Sequence, residues 1–147
     1  MHRRMMLKAA TSCLALAALA PLAHAAWTEV KAARNGHFIV RAEINGVRVP
    51  AVIDTGASIV AIPYELAERM GLKPRFLKYD VPLMTANGKA HGARVRLRHV
   101  RIDNVSARDV QAVVMPKGAL AHVLIGMSYL SRLRRFSVRD GRLRLVQ

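Results

Sequence analysis

Apolar positions in this chain recur in short runs separated by turn residues. One pair of runs flanks Asn45-Gly46, a dipeptide that favours a two-residue β-hairpin, and another pair flanks Asp140-Gly141. Residues 93–98 alternate strictly between small or apolar residues and arginine, which is the pattern of a strand with one face in water. The periodicity therefore predicts a chain built mainly of short strands.

The predicted strands are bounded by Gly, Asn, Asp or Pro, the common turn residues. They lie at residues 27–32, 37–44, 47–53, 59–62, 81–85, 93–98, 110–115, 123–125, 136–139 and 143–146, with a further strand from Val105. Pro63 and Gly71 bracket one short helix, and a helical turn follows Gly126. We expect a mainly β fold, a small closed sandwich or barrel with one or two short helices.

The first 25 residues have the pattern of a secretory signal peptide. Basic residues precede an apolar stretch rich in Ala and Leu, and Ala23-His24-Ala25 has the small-x-small form of a cleavage site. We expect a signal peptide at residues 1–25, cleavage before Ala26, a single domain at residues 26–147, and export of that domain. If the segment is retained it would be a membrane anchor, although its apolar part is shorter than the ~20 residues that a span needs.

Charge and cysteine content narrow the classes of function. The 147 residues carry 24 Lys and Arg against 9 Asp and Glu. An exported protein rarely meets nucleic acid, and few aromatic residues lie among the basic positions to stack on bases. We therefore expect no nucleic-acid partner, but a weak attraction to anionic membrane surfaces or acidic polymers. The single cysteine, Cys13, lies in the predicted signal peptide, which excludes thiol enzymes and cysteine-rich zinc sites.

Residues 51–58, Ala-Val-Ile-Asp-Thr-Gly-Ala-Ser, are the strongest candidate for chemistry. An apolar strand end delivers Asp54, whose carboxylate must be solvated, hydrogen-bonded or paired with a second acid. Gly56 allows close approach of backbone, and Thr55 and Ser58 supply hydroxyls that can hold carboxylate oxygens. Asp-Thr-Gly alone favours an ordinary turn, because Asp and Gly are common turn residues, whereas the preceding apolar run and the following Ala-Ser favour a chemical role.

Five motifs follow one another along the chain. They are Gly36-His37-Phe38, Ile44-Asn45-Gly46, residues 52–58, Thr85-Ala86-Asn87-Gly88 and Leu124-Ile125-Gly126-Met127, followed by Leu130 and Leu133. With these motifs in this order, the chain resembles the retropepsin-like aspartic proteases. More narrowly, it is similar to the bacterial clan AA family of single-domain exported or membrane-anchored proteases. The commoner residue at position 125 is Leu, and Ile keeps the side-chain volume. The resemblance implies the retropepsin-like closed β-barrel of the acid proteases.

The resemblance also implies an aspartic endopeptidase with Asp54 as its catalytic residue. That chemistry needs two carboxylates that share one proton, and the chain has one such motif, so the second Asp54 would come from another copy across a two-fold axis. The implied partners are a homodimer mate and a peptide or protein substrate, with no metal or cofactor, in a bacterial periplasm. The resemblance further implies that the active site is supported by Thr55, Gly56, Ala57, Ser58, Leu124, Ile125 and Gly126. It implies a substrate-binding flap formed by Thr85, Ala86, Asn87 and Gly88.

A function of a different class remains compatible with the sequence. The same fold could keep Asp-Thr-Gly for the architecture of a loop, while the basic surface binds acidic polymer or membrane. Such a non-catalytic binding module could be monomeric, and its binding would weaken steeply with salt.

Overall fold

The computed structural model describes residues 25–85 and 88–147. The predicted signal peptide, except for its last residue, lies outside the described residues. The strands are β1 (Trp27–Lys31), β2 (Phe38–Ile44), β3 (Val47–Ile53), β4 (Val60–Ile62), β5 (Val81–Thr85), β6 (Gly88–Ile102), β7 (Val105–Val114), β8 (Val123–Ile125), β9 (Arg135–Arg139) and β10 (Arg142–Val146). The helices are α1 (Tyr64–Arg69) and α2 (Met127–Leu130), with a 3₁₀ turn at Pro74–Phe76. In this part of the chain, no helix is long and apolar enough to cross a membrane.

Six strands close into a barrel in the order β2, β3, β8, β4, β7, β6. The ring closes because β6 pairs with β7 over residues 93–102 and with β2 at residues 100–102. The pairs β3–β8 and β4–β7 are parallel, and the other pairs in the ring are antiparallel. Fully buried side chains such as Ile44, Ile62 and Ile125 fill the interior. The predicted mainly β, closed-barrel fold is confirmed.

The β2–β3 hairpin directs the chain into the motif at residues 51–58. Asn45 and Gly46 have φ values of 48° and 86°, the left-handed pair that a two-residue hairpin turn requires. From this turn the register runs to Phe38 opposite Ile53. The predicted hairpin is confirmed, and it delivers Asp54 directly beyond the last paired residue of β3.

A second hairpin, β5–β6, extends from the barrel. In the described residues, β5 pairs with β6 alone, from Val81 opposite Gly92 to Thr85 opposite Gly88. Ala86 and Asn87, the middle of the predicted flap, lie outside the described residues. The remainder of β6 continues into the barrel, so one arm of the hairpin is continuous with a barrel strand.

Strands β6 and β7 form one long hairpin, whereas the sequence pattern predicted separate strands at Val105 and at residues 110–115. Their buried positions shift from the pair Leu97–Val110 to the pair Val100–Ala107. The shift occurs beside Asp109, which has a φ of 54°. The alternation predicted for residues 93–98 is present, with its three arginines exposed.

The first and last strands form a separate three-stranded sheet in the order β1, β10, β9. Asp140 and Gly141, with φ values of 49° and 68°, make the predicted turn between β9 and β10. The inner face of the sheet contributes Leu143 and Leu145 to the main core, where both are fully buried. The opposite face lies in solvent.

Candidate active site

Asp54 lies at the first position beyond β3, where the neighbouring strand β8 also ends. Its backbone N–H donates to the carbonyl of Ile125 (3.0 Å), and its own carbonyl accepts from Ala57 N–H (3.3 Å). The Gly56 N–H donates to Asp54 Oδ1 (2.9 Å). The carboxylate is half-buried, and Thr55 beside it is exposed. Backbone groups on both sides therefore fix the orientation of one acid at the surface.

The outgoing arm of this loop is hydrogen-bonded to the beginning of α2. Met127 N–H donates to the carbonyl of Ala57 (2.8 Å), and Ser128 N–H donates to the carbonyl of Ser58 (3.1 Å). The contact is close because residue 126 is glycine: a Cβ there would lie 2.6 Å from the carbonyl oxygens of both Ala57 and Ile59. The predicted support segment 124–126 is thus in direct contact with the Asp54 loop.

Ser128 also joins three elements through its side chain. Its hydroxyl donates to the carbonyl of Gln111 in β7 (2.7 Å) and accepts from the N–H of Val60 in β4 (2.9 Å). Sequence reasoning did not select Ser128 and missed this structural contact. A serine in the first turn of a helix was the available signal, since its hydroxyl can bond to nearby backbone.

Tyr129 anchors the same helix in the core. Its hydroxyl donates to the carbonyl of Val105 (3.2 Å), and its ring is fully buried. Burial raises the pKa of the Tyr129 phenol well above its ordinary value of 10.0, because the charged phenolate would be poorly solvated. Helix α2 therefore presents its N-terminal backbone to the Asp54 loop from a fixed position.

A cleft of about 700 Å³ separates the Asp54 loop from the β5–β6 hairpin. One side is formed by Asp54, Gly56, Ala57 and Ser58, and the other by residues 82–85 of β5. Among the residues that line it, Asp54 is the only acid in the part of the chain that the structure describes. The structure therefore brings the predicted Asp54 loop and the predicted flap to the same cleft, with Leu124 beside them and Ile125 and Gly126 behind.

The wall of the cleft is apolar and comes largely from residues that sequence reasoning did not select. A small cluster of buried residues, Ala61, Val113 and Met115, packs against Leu83 and Leu120, and all five line the cleft. Residues 110–115 were predicted as a strand, but an apolar run does not reveal which of its side chains face a cleft. Val113 in β7 and Met115 directly beyond it are both buried and both line the cleft.

No group of three or more His, Cys, Asp or Glu residues that could hold a metal ion occurs in residues 25–85 and 88–147. The polar side chains that line the described cleft are those of Asp54, Ser58 and Thr85. Thr55 and Ser58 supply hydroxyls within the same loop.

Comparison with known proteins identifies the family. The sequence profile of the family described as "gag-polyprotein putative aspartyl protease" matches residues 40–132. An uncharacterized protein in the cobV 5′ region of Sinorhizobium sp is 43% identical over 111 residues, which make up 76% of this chain and 48% of that protein. The chain spans about half the length of the curated relatives that it matches.

Solved structures agree with this assignment. A retropepsin-like aspartic protease from Rickettsia conorii matches with a TM-score of 0.75 and 31% identity, over 84% of this chain and 92% of that one. The retroviral protease-like domain of Ddi1 from Leishmania major shares the fold, with a TM-score of 0.51 and 23% identity, over 69% of this chain and 80% of that domain. The resemblance predicted from the motifs is confirmed, and the chain belongs to the retropepsin-like aspartic protease family.

Proposed function

We propose that this protein is an aspartic endopeptidase that acts as a homodimer, with one Asp54 from each subunit. The observation that carries the proposal is the isolated acid: Asp54 is oriented by the Gly56 amide at the edge of an apolar cleft, and no second acid lines that cleft in the described residues. Because peptide hydrolysis of this type needs a pair of carboxylates, the partner acid is supplied by a second copy on a two-fold axis.

The paired carboxylates share one proton and titrate as a unit. The ionised carboxylate takes a proton from a water molecule, whose oxygen adds to the carbonyl carbon of the peptide bond, while the protonated carboxylic acid polarises the carbonyl oxygen. A proton is then delivered to the amide nitrogen as the C–N bond breaks. Within each subunit, Gly56 N–H orients the Asp54 carboxylate, and we assign bracing of the paired loops to Thr55 and side support of the carboxylate to Ser58.

An extended peptide is the substrate that this cleft would accept. Strand β5 pairs with β6 on one side only in the described residues, and it lines the cleft from residue 82 to 85. A peptide lying there can form strand-like hydrogen bonds and place alternate side chains in the apolar wall. The hairpin that includes Thr85, Ala86, Asn87 and Gly88 would close over the bound peptide as a flap and exclude water.

The test is cleavage of an unbiased peptide library from acid to neutral pH. We expect the wild type to cleave, Asp54→Asn to be inactive, and Asp140→Asn to cleave like the wild type. Asp140 is an exposed turn residue with positive φ, a conformation that Asn tolerates, so it controls for loss of one carboxylate. A dimer shown by sedimentation to be intact, yet unable to cleave any peptide, would contradict the proposal.

Mixing the two proteins tests the shared site separately. If one Asp54 from each subunit is needed, replacing part of the wild type by Asp54→Asn at constant total protein concentration, under conditions of subunit exchange, should reduce activity as the square of the wild-type fraction. A linear decrease would show that each subunit acts alone, even if the protein is a peptidase.

We also propose that residues 1–25 direct export and are removed. The basis is the sequence pattern described above. Sequencing the N-terminus of the protein recovered from cells tests it, since cleavage should leave Ala26 first, whereas a start at Met1 or Met5 in a membrane fraction would indicate a retained anchor.

A further inference from the structure

The solvent-facing side of the terminal sheet carries a cluster of cations. We call the nine residues on this side of the sheet the outer face. The register of β1, β10 and β9 places them in three rows: Trp27–Val146–Arg135, Glu29–Arg144–Ser137 and Lys31–Arg142–Arg139. The outer face holds five Lys or Arg residues and one acid. Eight of its nine residues are exposed, and Val146 is half-buried. The assignment of sides is clear because Leu143 and Leu145, which alternate with the arginines of β10, are fully buried.

The distribution of charge on the outer face is unfavourable for the free protein. In the third row, Lys31, Arg142 and Arg139 lie directly opposite one another, and like charges in such positions destabilise a sheet. Arg142 reaches diagonally to Glu29, with 2.9 Å between Nη1 and Oε1. Glu29 is the one acid of the outer face, so most of the five cations there have no acidic partner on this face. They can therefore bind anions of another molecule.

The arginines also line a shallow groove along β9 and β10. Its volume is about 810 Å³, and Arg134 at its end adds a further cation while Asp140 contributes a second acid. None of the residues that line this groove lines the cleft at Asp54. A ligand held there would leave the proposed active site accessible.

Trp27 gives the outer face an apolar border. Its side chain is 50% exposed, and the guanidinium of Arg144 stands 4.6 Å from the centre of its ring. Val146 is its cross-strand neighbour. A tryptophan with one apolar face next to cations is the combination found at the boundary between lipid headgroups and acyl chains.

The first described residues of the chain lie beside the same row. Residues 1–24 precede the described part, and only Ala25 and Ala26 separate them from Trp27. Gln147 N–H donates to the carbonyl of Ala26 (2.8 Å), which fixes this entry point at the edge of the outer face. The N-terminus that the proposed cleavage would leave at Ala26 thus lies beside Trp27.

From these observations we infer that the outer face binds the phosphate-bearing headgroups of an anionic membrane. Its cations contact the phosphates, and Trp27 and Val146 lie at the level of the headgroups. Arginine suits this role because its guanidinium forms paired hydrogen bonds to phosphate oxygens. The active-site cleft, lined by other residues, remains available to substrate.

The experiment compares partitioning to phosphatidylglycerol-containing and pure phosphatidylcholine vesicles, with every protein purified in the same form. The ratio of the two partition coefficients removes any contribution of the N-terminal segment that does not depend on lipid charge. The test variant is Lys31→Gln/Arg135→Gln/Arg139→Gln, which spares the Arg142–Glu29 and Arg144–Trp27 contacts. The matched control, Arg94→Gln/Arg98→Gln/Arg108→Gln, removes the same charge from exposed positions on β6 and β7.

We expect the test variant to reduce the ratio about 100-fold, from the contribution that each cation makes near an anionic surface. The control should stay within about threefold of the wild type, because charges more than ~10 Å from the membrane are screened at 0.1 M salt. Trp27 is the only tryptophan in the chain, so a blue shift of its emission and quenching by brominated lipid should accompany binding. If the triple variant fails to fold by circular dichroism, Arg139→Gln alone should still reduce the ratio about fivefold.

Three results would overturn the inference. Equal losses in the two triple variants would mean that overall charge, and not this face, drives binding. Vesicle binding without any change at Trp27 would place another surface on the membrane. Preference for a soluble polyanion such as polyphosphate, with no preference for anionic over neutral vesicles, would assign the face to a different ligand. Because no readout involves peptide cleavage, the result is independent of the proposed peptidase activity.

Discussion

Substituting Gly126 by alanine tests how the Asp54 loop is held. Gly126 has a φ of −93°, which any residue can adopt, so the substitution introduces no backbone strain of its own. The effect comes from space: the new Cβ would lie 2.6 Å from the carbonyl oxygens of Ala57 and Ile59 and 2.8 Å from the Ile59 carbonyl carbon. These are backbone atoms, which cannot rotate away as the end of a side chain could.

The loss of stability in Gly126→Ala follows from the backbone atoms that the new Cβ would displace. Overpacking a filled site typically costs about 1–3 kcal/mol, and the Ala57 carbonyl also accepts the Met127 N–H at 2.8 Å, a bond worth about 1 kcal/mol. We therefore expect Gly126→Ala to lower the free energy of unfolding by about 3 kcal/mol. Since a displacement of about 1 Å in a catalytic group can reduce the rate about 100-fold, peptidase activity per folded molecule should fall as well.

Urea unfolding at one protein concentration, followed by circular dichroism, measures the stability term. Gly71→Ala is the control: Gly71 has a φ of 73° and no atom within 4 Å of its Cβ position, so that change should cost about 1–2 kcal/mol through backbone strain and leave cleavage unchanged. A Gly126→Ala protein with wild-type stability and wild-type activity would refute the close contact between Gly126 and the loop.

Three further substitutions probe other parts of the site. Ser128→Ala should lower the free energy of unfolding, measured by thermal unfolding, by about 2 kcal/mol because it leaves the buried Val60 N–H without its acceptor. The control Ser131→Ala removes a bond to the carbonyl of the preceding helical turn and should change the free energy of unfolding by no more than about 0.5 kcal/mol. Equal effects of the two substitutions would contradict the bridging role of Ser128. Burial raises the pKa of Tyr129, so above pH ~10 the unfolded chain loses a proton that the folded chain keeps, and stability falls with rising pH. Tyr129→Phe should show a shallower alkaline decrease in urea midpoint, and an unchanged slope would refute this. Met84 is 76% exposed and lines the cleft, so Met84→Ala should leave stability within about 0.5 kcal/mol but raise KM for peptides; an unchanged KM would show that substrate does not contact β5.

Local sequence signals were sufficient to predict those parts of the fold whose conformation is determined by neighbouring residues. Asn45-Gly46 predicted the first hairpin because few dipeptides tolerate two consecutive positive φ values. The alternation at residues 93–98 predicted which side of β6 faces water, since successive side chains of a strand point in opposite directions. Pro63 and Gly71 predicted the bounds of α1 to within a residue for similar reasons.

Features that depend on distant residues could not be predicted in this way. The parallel pairing of β3 with β8 and the wall formed by Val113 and Met115 result from the closure of the barrel, which no local pattern encodes. The 3₁₀ turn at Pro74–Phe76, entered through Lys73 with a φ of 50°, and the continuity of β7 through Asp109 were also missed, because both place an ordinary residue in a left-handed conformation. The roles of Thr55 and Ser58 stay predictions.

The pairing of residues far apart in the chain has a consequence for biosynthesis. Asp54 is fixed by the Ile125 carbonyl, and β1 has no partner until β10, with Trp27 opposite Val146. Translation proceeds at about 5–20 residues per second, so a nascent chain carries Asp54 for several seconds without the strand that orients it. The nascent chain thus holds an unassembled site until β8 has been synthesised and has left the ribosome.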